Sequence, residues 1–87
     1  MRRIWPVAVQ TVGAMRDAQA DGRIHLKMIC GRCDGVYKVP VRLIGAACGT
    51  GYSLIGRRVT CPAYGCEGNC VVLFKMAGTN PFVSLSV

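Results

Sequence analysis

Eighty-seven residues, six of them cysteine, with eleven Lys and Arg against four acids and a net charge of +7, describe one small basic domain. That length leaves little room for a second domain, and a core of this size often needs a staple. No stretch approaches the ~18 apolar residues of a membrane span, and Pro6, Gln10, Thr11 and Gly13 break up any apolar run of signal-peptide quality after the basic start.

The chain is read as an amino-terminal arm and short helix over 1–22, a cysteine-bearing ribbon over 23–76 and a carboxyl-terminal edge strand or tail over 77–87. In the arm, Trp5, Val7 and Val9 alternate, which suits a short edge strand that tolerates Pro6; the competing view is a disordered arm carrying Arg2 and Arg3. Thr11 to Ala20 reads as a helix, with Thr11 as N-cap, Val12, Met15 and Ala18 at helical spacing and Gly22 beyond its end. Gly13 weakens it.

Arg23 to Cys30 has the clearest strand pattern. Ile24, Leu26, Met28 and Cys30 share one face, and Arg23, His25, Lys27 and Ile29 share the other. Cys33-Asp34-Gly35 turns the chain into a return strand over Val36 to Val41. Pro40 to Cys48 suits a short helix with Leu43, Ile44 and Ala47 as its apolar face, ended by Gly49-Thr50-Gly51. Arg57 to Cys61 and Cys70 to Met76 read as further strands, and Phe82 to Val87 alternates as a final edge strand after the Asn80-Pro81 turn.

The chain is organised around Cys30-Gly31-Arg32-Cys33 and, far downstream, Cys61-Pro62-Ala63-Tyr64-Gly65-Cys66. Short spacers containing Gly or Pro fold the backbone into knuckles, so that two sulfurs point at one ion. Zinc takes four such sulfurs in a tetrahedron. Six cysteines in a short chain also fit a disulfide framework. Their grouping into clusters, and the expectation of a reducing cytoplasm, favour metal. The ligand set is therefore Cys30, Cys33, Cys61 and Cys66, with Cys70 as rival for the last place because Glu67-Gly68-Asn69 is also a flexible turn. Cys48 lies in an apolar stretch and reads as a small core residue.

Catalysis is not expected. Four cysteines fill a zinc site, whereas catalytic zinc keeps an open position and needs a neighbouring base. Glu67 is the only Glu, and His25 reads as a solvated residue on the polar face of its strand. No thioredoxin-like pattern surrounds the Cys-x-x-Cys.

Eight of the eleven cationic residues are Arg, whose planar fork matches phosphate and the edge of guanine. Arg32 lies inside the first knuckle, Arg57 and Arg58 lead into the second, Arg42 sits on the bridge and Tyr64 projects from the second knuckle. Such residues clamp phosphates and stack on bases, or are ordinary solvated surface, with Tyr64 packed on the ribbon.

From Arg23 to Met76 the chain resembles small bacterial and phage zinc-ribbon proteins: a basic strand into Cys30-Gly-Arg-Cys33, a short apolar helix ending at Gly49, and Leu54-Ile-Gly-Arg-Arg-Val-Thr-Cys61. The wide Cys61–Cys66 knuckle is similar to the second cysteine pair of Ogr/Delta-type phage late-gene activators. The resemblance implies zinc at Cys30, Cys33, Cys61 and Cys66 and a role in transcription. The gap between the pairs is longer here, and Cys70 and the apolar tail have no counterpart.

The expected fold is thus a small α+β zinc ribbon, two β-hairpins pinned by one four-cysteine zinc site with one or two short helices. The expected function is a non-enzymatic nucleic-acid-binding or transcription-associated module. Its rival is a protein-interaction module, such as a phage-encoded inhibitor or adaptor docking on a host complex, and the apolar carboxyl-terminal strand offers an edge for pairing with a second copy.

Overall fold

The strand predicted most clearly is the one on which the sheet is built. In a computed structural model, which describes residues 5–78 and 81–85, β1 (Ile24–Cys30) pairs along its whole length with a later strand. The elements in chain order are α1 (Val12–Ala20), β1, β2 (Val36–Tyr37), α2 (Val41–Cys48), β3 (Arg58–Thr60), β4 (Asn69–Met76) and β5 (Val83–Ser84). The result is a small α+β fold with two helices and one antiparallel sheet, ordered β2-β1-β4-β3.

β4 shares its second edge between two short strands. β3 covers Asn69 to Val71, and β5 covers Leu73 and Phe74. The long β1–β4 pair aligns Cys30 with Cys70 and Met28 with Val72. Alternation puts Ile24, Met28, Cys30, Cys70, Val72 and Phe74 on one face, and all of them are buried.

α1 packs on that face. Val12, Met15 and Ala18 are buried at the predicted spacing. The Thr11 hydroxyl accepts a hydrogen bond from Ala14 N–H at 3.1 Å, so the expected cap is formed. Gly22, at φ +73°, closes the helix in the left-handed region. The glycine that weakens the helix has a packing reason: a β-carbon at Gly13 would lie 3.0 Å from Thr50 Cβ and O. Gly13 N–H donates to Thr50 O, and Val12 N–H donates to Tyr52 O. The bridge between the knuckles is thereby tied to the start of α1.

Three local expectations are corrected. Residues Val7–Val9 form a single 3-10 turn, not an edge strand, because Val9 N–H donates back to Pro6 O; Val9 is then buried and Val7 exposed. β2 stops at Tyr37 rather than running to Val41, since Val39 and Val41 leave the sheet to enter the core and Pro40 has no N–H to donate. α2 packs on α1 through Val41, Ile44 and Gly45, so Leu43 is 73% exposed and Ala47 is exposed too.

β5 is shorter than the predicted final strand, and Ser86 and Val87 lie outside the described residues, as do Arg2, Arg3 and Asn80. Leu85 is fully buried. Its N–H donates to Val72 O, and its carbonyl accepts from Gly56 N–H. Among the described residues no helix is long and apolar enough to cross a membrane.

Candidate metal centre

The cysteines arrive at one point because two loops meet at the same end of the sheet. β1 ends at Cys30 and β3 ends one residue before Cys61, on either side of β4. The first loop closes by Asp34 N–H to Cys30 O and Cys30 N–H to Gly35 O, with Asp34 in the left-handed region at φ +57°. The second closes by Cys66 N–H to Ala63 O and Cys61 N–H to Gly68 O, with Gly65 at φ +79°.

The Sγ atoms of Cys30, Cys33, Cys61 and Cys66 all lie within 4.8 Å of one another. Cys30 and Cys66 sulfurs are 3.7 Å apart, and those of Cys33 and Cys61 are 3.8 Å apart. A tetrahedron with metal–sulfur bonds of ~2.3 Å has sulfur–sulfur edges of about 3.8 Å. A disulfide needs roughly 2.05 Å. All six cysteines are free. Four sulfurs within 4.8 Å of one another, with two of their separations at the edge length of a thiolate tetrahedron, can hold one metal ion, and that spacing is compatible with zinc.

Hydrogen-bond donors surround the sulfurs. Arg32 N–H and Cys33 N–H both point to Cys30 Sγ, at 3.3 and 3.4 Å. The backbone donors, Cys33 N–H first and Arg32 N–H next, hold the Cys30 thiol down at about 6. The Tyr37 hydroxyl lies 3.4 Å from Cys33 Sγ; it lowers the Cys33 pKa, helped by Gly35 N–H, and its own pKa is raised in return. Gly68 N–H favours the thiolate of Cys66, but burial and the neighbouring sulfurs outweigh it and push that thiol up to about 12. Cys30 is therefore prepared as an anion, Cys33 is shifted in the same direction, and Cys66 is held as a thiol until a cation offsets its neighbours' charge.

Gly68 fills a second requirement. A β-carbon there would lie 2.8 Å from Cys30 Sγ and 2.6 Å from Arg32 Cβ, so the second loop seats against the first only because residue 68 has no side chain. Gly68 and Tyr37 are the site residues that sequence reasoning missed. In the sequence Gly68 reads only as turn flexibility, and Tyr37 as one residue of an alternating strand. The signal available was the position of Tyr37, four residues after Cys33 on a strand returning from the knuckle.

Cys70 stands outside the cluster. It is fully buried, aligned with Cys30 on the core face, and burial pushes its thiol up to about 11. Cys48 is not the core residue expected; it is exposed, because the last turn of α2 leaves the core. His25 is exposed on β1, away from the cluster.

The basic residues divide between two sides. Arg58 is exposed on β3, opposite Val71. Arg32 is exposed in the first loop, and Tyr64 is fully exposed in the second, so it does not pack on the ribbon. Arg57 lies over the Tyr52 ring, 4.9 Å from its centroid. Arg42 belongs to the helical layer, where it lines a groove with Arg16, Gly45, Ala46 and Thr50. No protein-family model, curated protein or solved structure matches the chain.

Proposed function

We propose that the chain is a non-enzymatic zinc-ribbon module that binds nucleic acid in a transcription-associated role, as its resemblance to bacterial and phage zinc ribbons implies. The observation that carries this reading is the sulfur cluster: four cysteines from two loops within 4.8 Å of one another, two of their separations at the edge length of a tetrathiolate site. Zinc bound there would supply a fixed dication that pins both loops. Cys30, Cys33, Cys61 and Cys66 would hold it, leaving no open position for water or substrate. Tyr37 and the backbone donors would orient the sulfurs and disperse their charge.

The net charge of +7 and the exposed Arg32 and Arg58 support a polyanionic partner. The rival reading, a protein-interaction module, draws on Leu43. That residue is exposed beside a groove of about 360 Å³ lined also by Gln19, Lys38, Val39, Pro40, Val41 and Arg42.

Native mass spectrometry of the reduced protein tests the metal. One zinc per chain is expected, retained in Cys70→Ala and lost in Cys66→Ser. Zinc retained in Cys66→Ser but lost in Cys70→Ala would reverse the ligand assignment. A bare polypeptide mass would remove the reading altogether.

A further inference from the structure

Among the described residues, the sheet has one face that no helix covers. Directly aligned residues in neighbouring antiparallel strands point to the same side, so the register assigns this face residue by residue. Val36, Ile29, Val71 and Arg58 form one row across the four strands; Lys27, Leu73 and Ser84 form the next; His25 and Lys75 follow. The buried core residues all lie on the other side, with α1.

This open face has two properties together. Its centre is apolar and half-buried, at Ile29, Val71 and Leu73, while Val36 at its rim is 61% exposed. Its charge is of one sign. Lys27, Lys75 and Arg58 are on it, and none of the four acids is: Asp17 and Asp21 belong to the α1 side, and Asp34 and Glu67 to the two loops. Two of the cations are held together by a ring. Lys27 Nζ lies 4.2 Å from the centroid of Phe82, and Lys75 Nζ lies 5.5 Å from it. Two like charges drawn to one aromatic ring strengthen the positive field of this face, which favours an anion.

We propose that this helix-free face, with Lys27, Lys75 and Arg58 set around Ile29, Val71 and Leu73, seats a single-stranded nucleic acid. The inference rests on the nucleic-acid reading above and narrows it to a surface and a strand state. Unpaired bases present flat apolar faces that cover the stripe while their phosphates reach the surrounding cations. A duplex hides those base faces and would leave the stripe against sugar and phosphate. Four strands at ~4.8 Å spacing give a platform about 14 Å wide, the span on which sheets with aromatic faces stack two or three bases; here the stripe that would cover base faces is aliphatic. The zinc loops close one end of the platform, so the metal would fix its strand spacing without touching the ligand.

The test is fluorescence anisotropy of the zinc-loaded full chain with a labelled oligothymidylate, its duplex with oligoadenylate, and labelled polyglutamate. It is read at roughly 50 and 200 mM salt. Three phosphate contacts predict that single-strand affinity falls about 20-fold between those salts. The duplex should bind more weakly than the single strand. In the double variant Lys27→Ala/Arg58→Ala the salt effect should shrink to about threefold, one contact remaining. The control Arg16→Ala/Arg42→Ala, in the helical layer, should leave the single-strand salt effect unchanged. Zinc content and circular dichroism confirm that each variant is folded.

Single-strand binding that Lys27→Ala/Arg58→Ala leaves intact would overturn this surface while sparing the nucleic-acid reading; so would stronger binding of the duplex. Tighter binding of polyglutamate, lost in the same variant, would assign the face to an acidic protein. No binding of either oligonucleotide at low salt would remove the functional reading itself.

Discussion

The Tyr37 hydroxyl sits 3.4 Å from the sulfur of Cys33, the one exposed member of the cluster. Against a thiolate it can only donate, so it neutralises part of a charge that solvent would otherwise have to carry. Tyr37→Phe removes that donor and little else. Outer-shell partners of metal ligands are commonly worth about 10–100-fold in affinity. Competition with a chromophoric chelator should show zinc affinity falling about tenfold in this variant. An unchanged affinity would make the contact incidental. Proton traffic follows from the same atoms. Cys30 is depressed to about 6, so it is an anion at neutral pH and protonates as pH falls through that value, which weakens metal binding on the acid side. Cys66, raised to about 12, still carries its proton at neutral pH and must release it to solvent for its sulfur to bind the metal. Zinc uptake just above neutral pH should therefore release fewer protons than the four cysteines of the cluster. Calorimetry in two buffers of different ionisation enthalpy counts them, and release of a proton from every cysteine would contradict the site's electrostatics. None of this is legible in the sequence, where spacing announces which sulfurs can meet but not which neighbours donate to them. Cys70 illustrates the limit. Its distance along the chain from Cys61 allows it as a ligand, and the register even sets it beside Cys30; only the sulfur positions, with Cys66 rather than Cys70 meeting the other three, leave it out of the cluster.

Elements are readable where the pattern has a single solution. β1 alternates from Ile24 to Met28, broken only by the apolar Ile29 on the outer face, and α1 carries a capping Thr11, a buried 12/15/18 stripe and a left-handed Gly22. α2 is legible as a helix, but its orientation is not. Both 43/44/47 and 41/44/45 are helical stripes, and the contact with α1 chooses the second, because Gly45 brings a bare backbone against Val12. The choice depends on a partner helix, which no local periodicity contains. The arm is ambiguous for a related reason, since alternation over three residues is equally compatible with one turn of 3-10 helix. Gly13 is where local preference and packing oppose each other most directly. Ala at that position would gain about 1 kcal/mol of helix propensity. Its β-carbon, however, meets the Thr50 backbone oxygen at 3.0 Å, and the oxygen is held by the Gly13 N–H itself. Overpacking of this kind typically costs roughly 1–3 kcal/mol. Gly13→Ala should therefore lower the urea midpoint of the zinc-loaded protein, with a net loss on the order of 1 kcal/mol. A stabilised variant would mean that the α1–bridge contact yields easily.

At the scale of the whole molecule the question is how far the proposed metal would support the fold. The core is continuous: Val9, Val12, Met15 and Ala18 from the first part of the chain meet Ile24, Met28, Val72 and Phe74 from the sheet and Leu85 from the end. That core also contains Cys30 and Cys61, both buried and both in the cluster. A structural zinc can contribute on the order of 10 kcal/mol, comparable with the entire margin of roughly 5–15 kcal/mol by which small domains are stable. Without the ion, the buried thiolate of Cys30 faces three other sulfurs with only backbone N–H donors to offset its charge, and the paired ends of β1, β3 and β4 lose the clip that joins their loops. The loss cannot remain local, because β3 has only three residues and β2 only two. Such short strands contribute little pairing of their own and depend on the loops that deliver them. β1 and β4, paired over seven registers, are the elements best able to persist. Removing zinc with a high-affinity chelator under reducing conditions should thus abolish the cooperative thermal transition, and adding one equivalent of zinc should restore it. Amide exchange would then show protection surviving longest at Lys27 and Leu73, a hydrogen-bonded pair in the middle of the β1–β4 ladder, and vanishing first at Tyr37 and Val59. If the apoprotein instead melts cooperatively near the temperature of the loaded form, the apolar core is sufficient by itself and the metal merely tethers two loops.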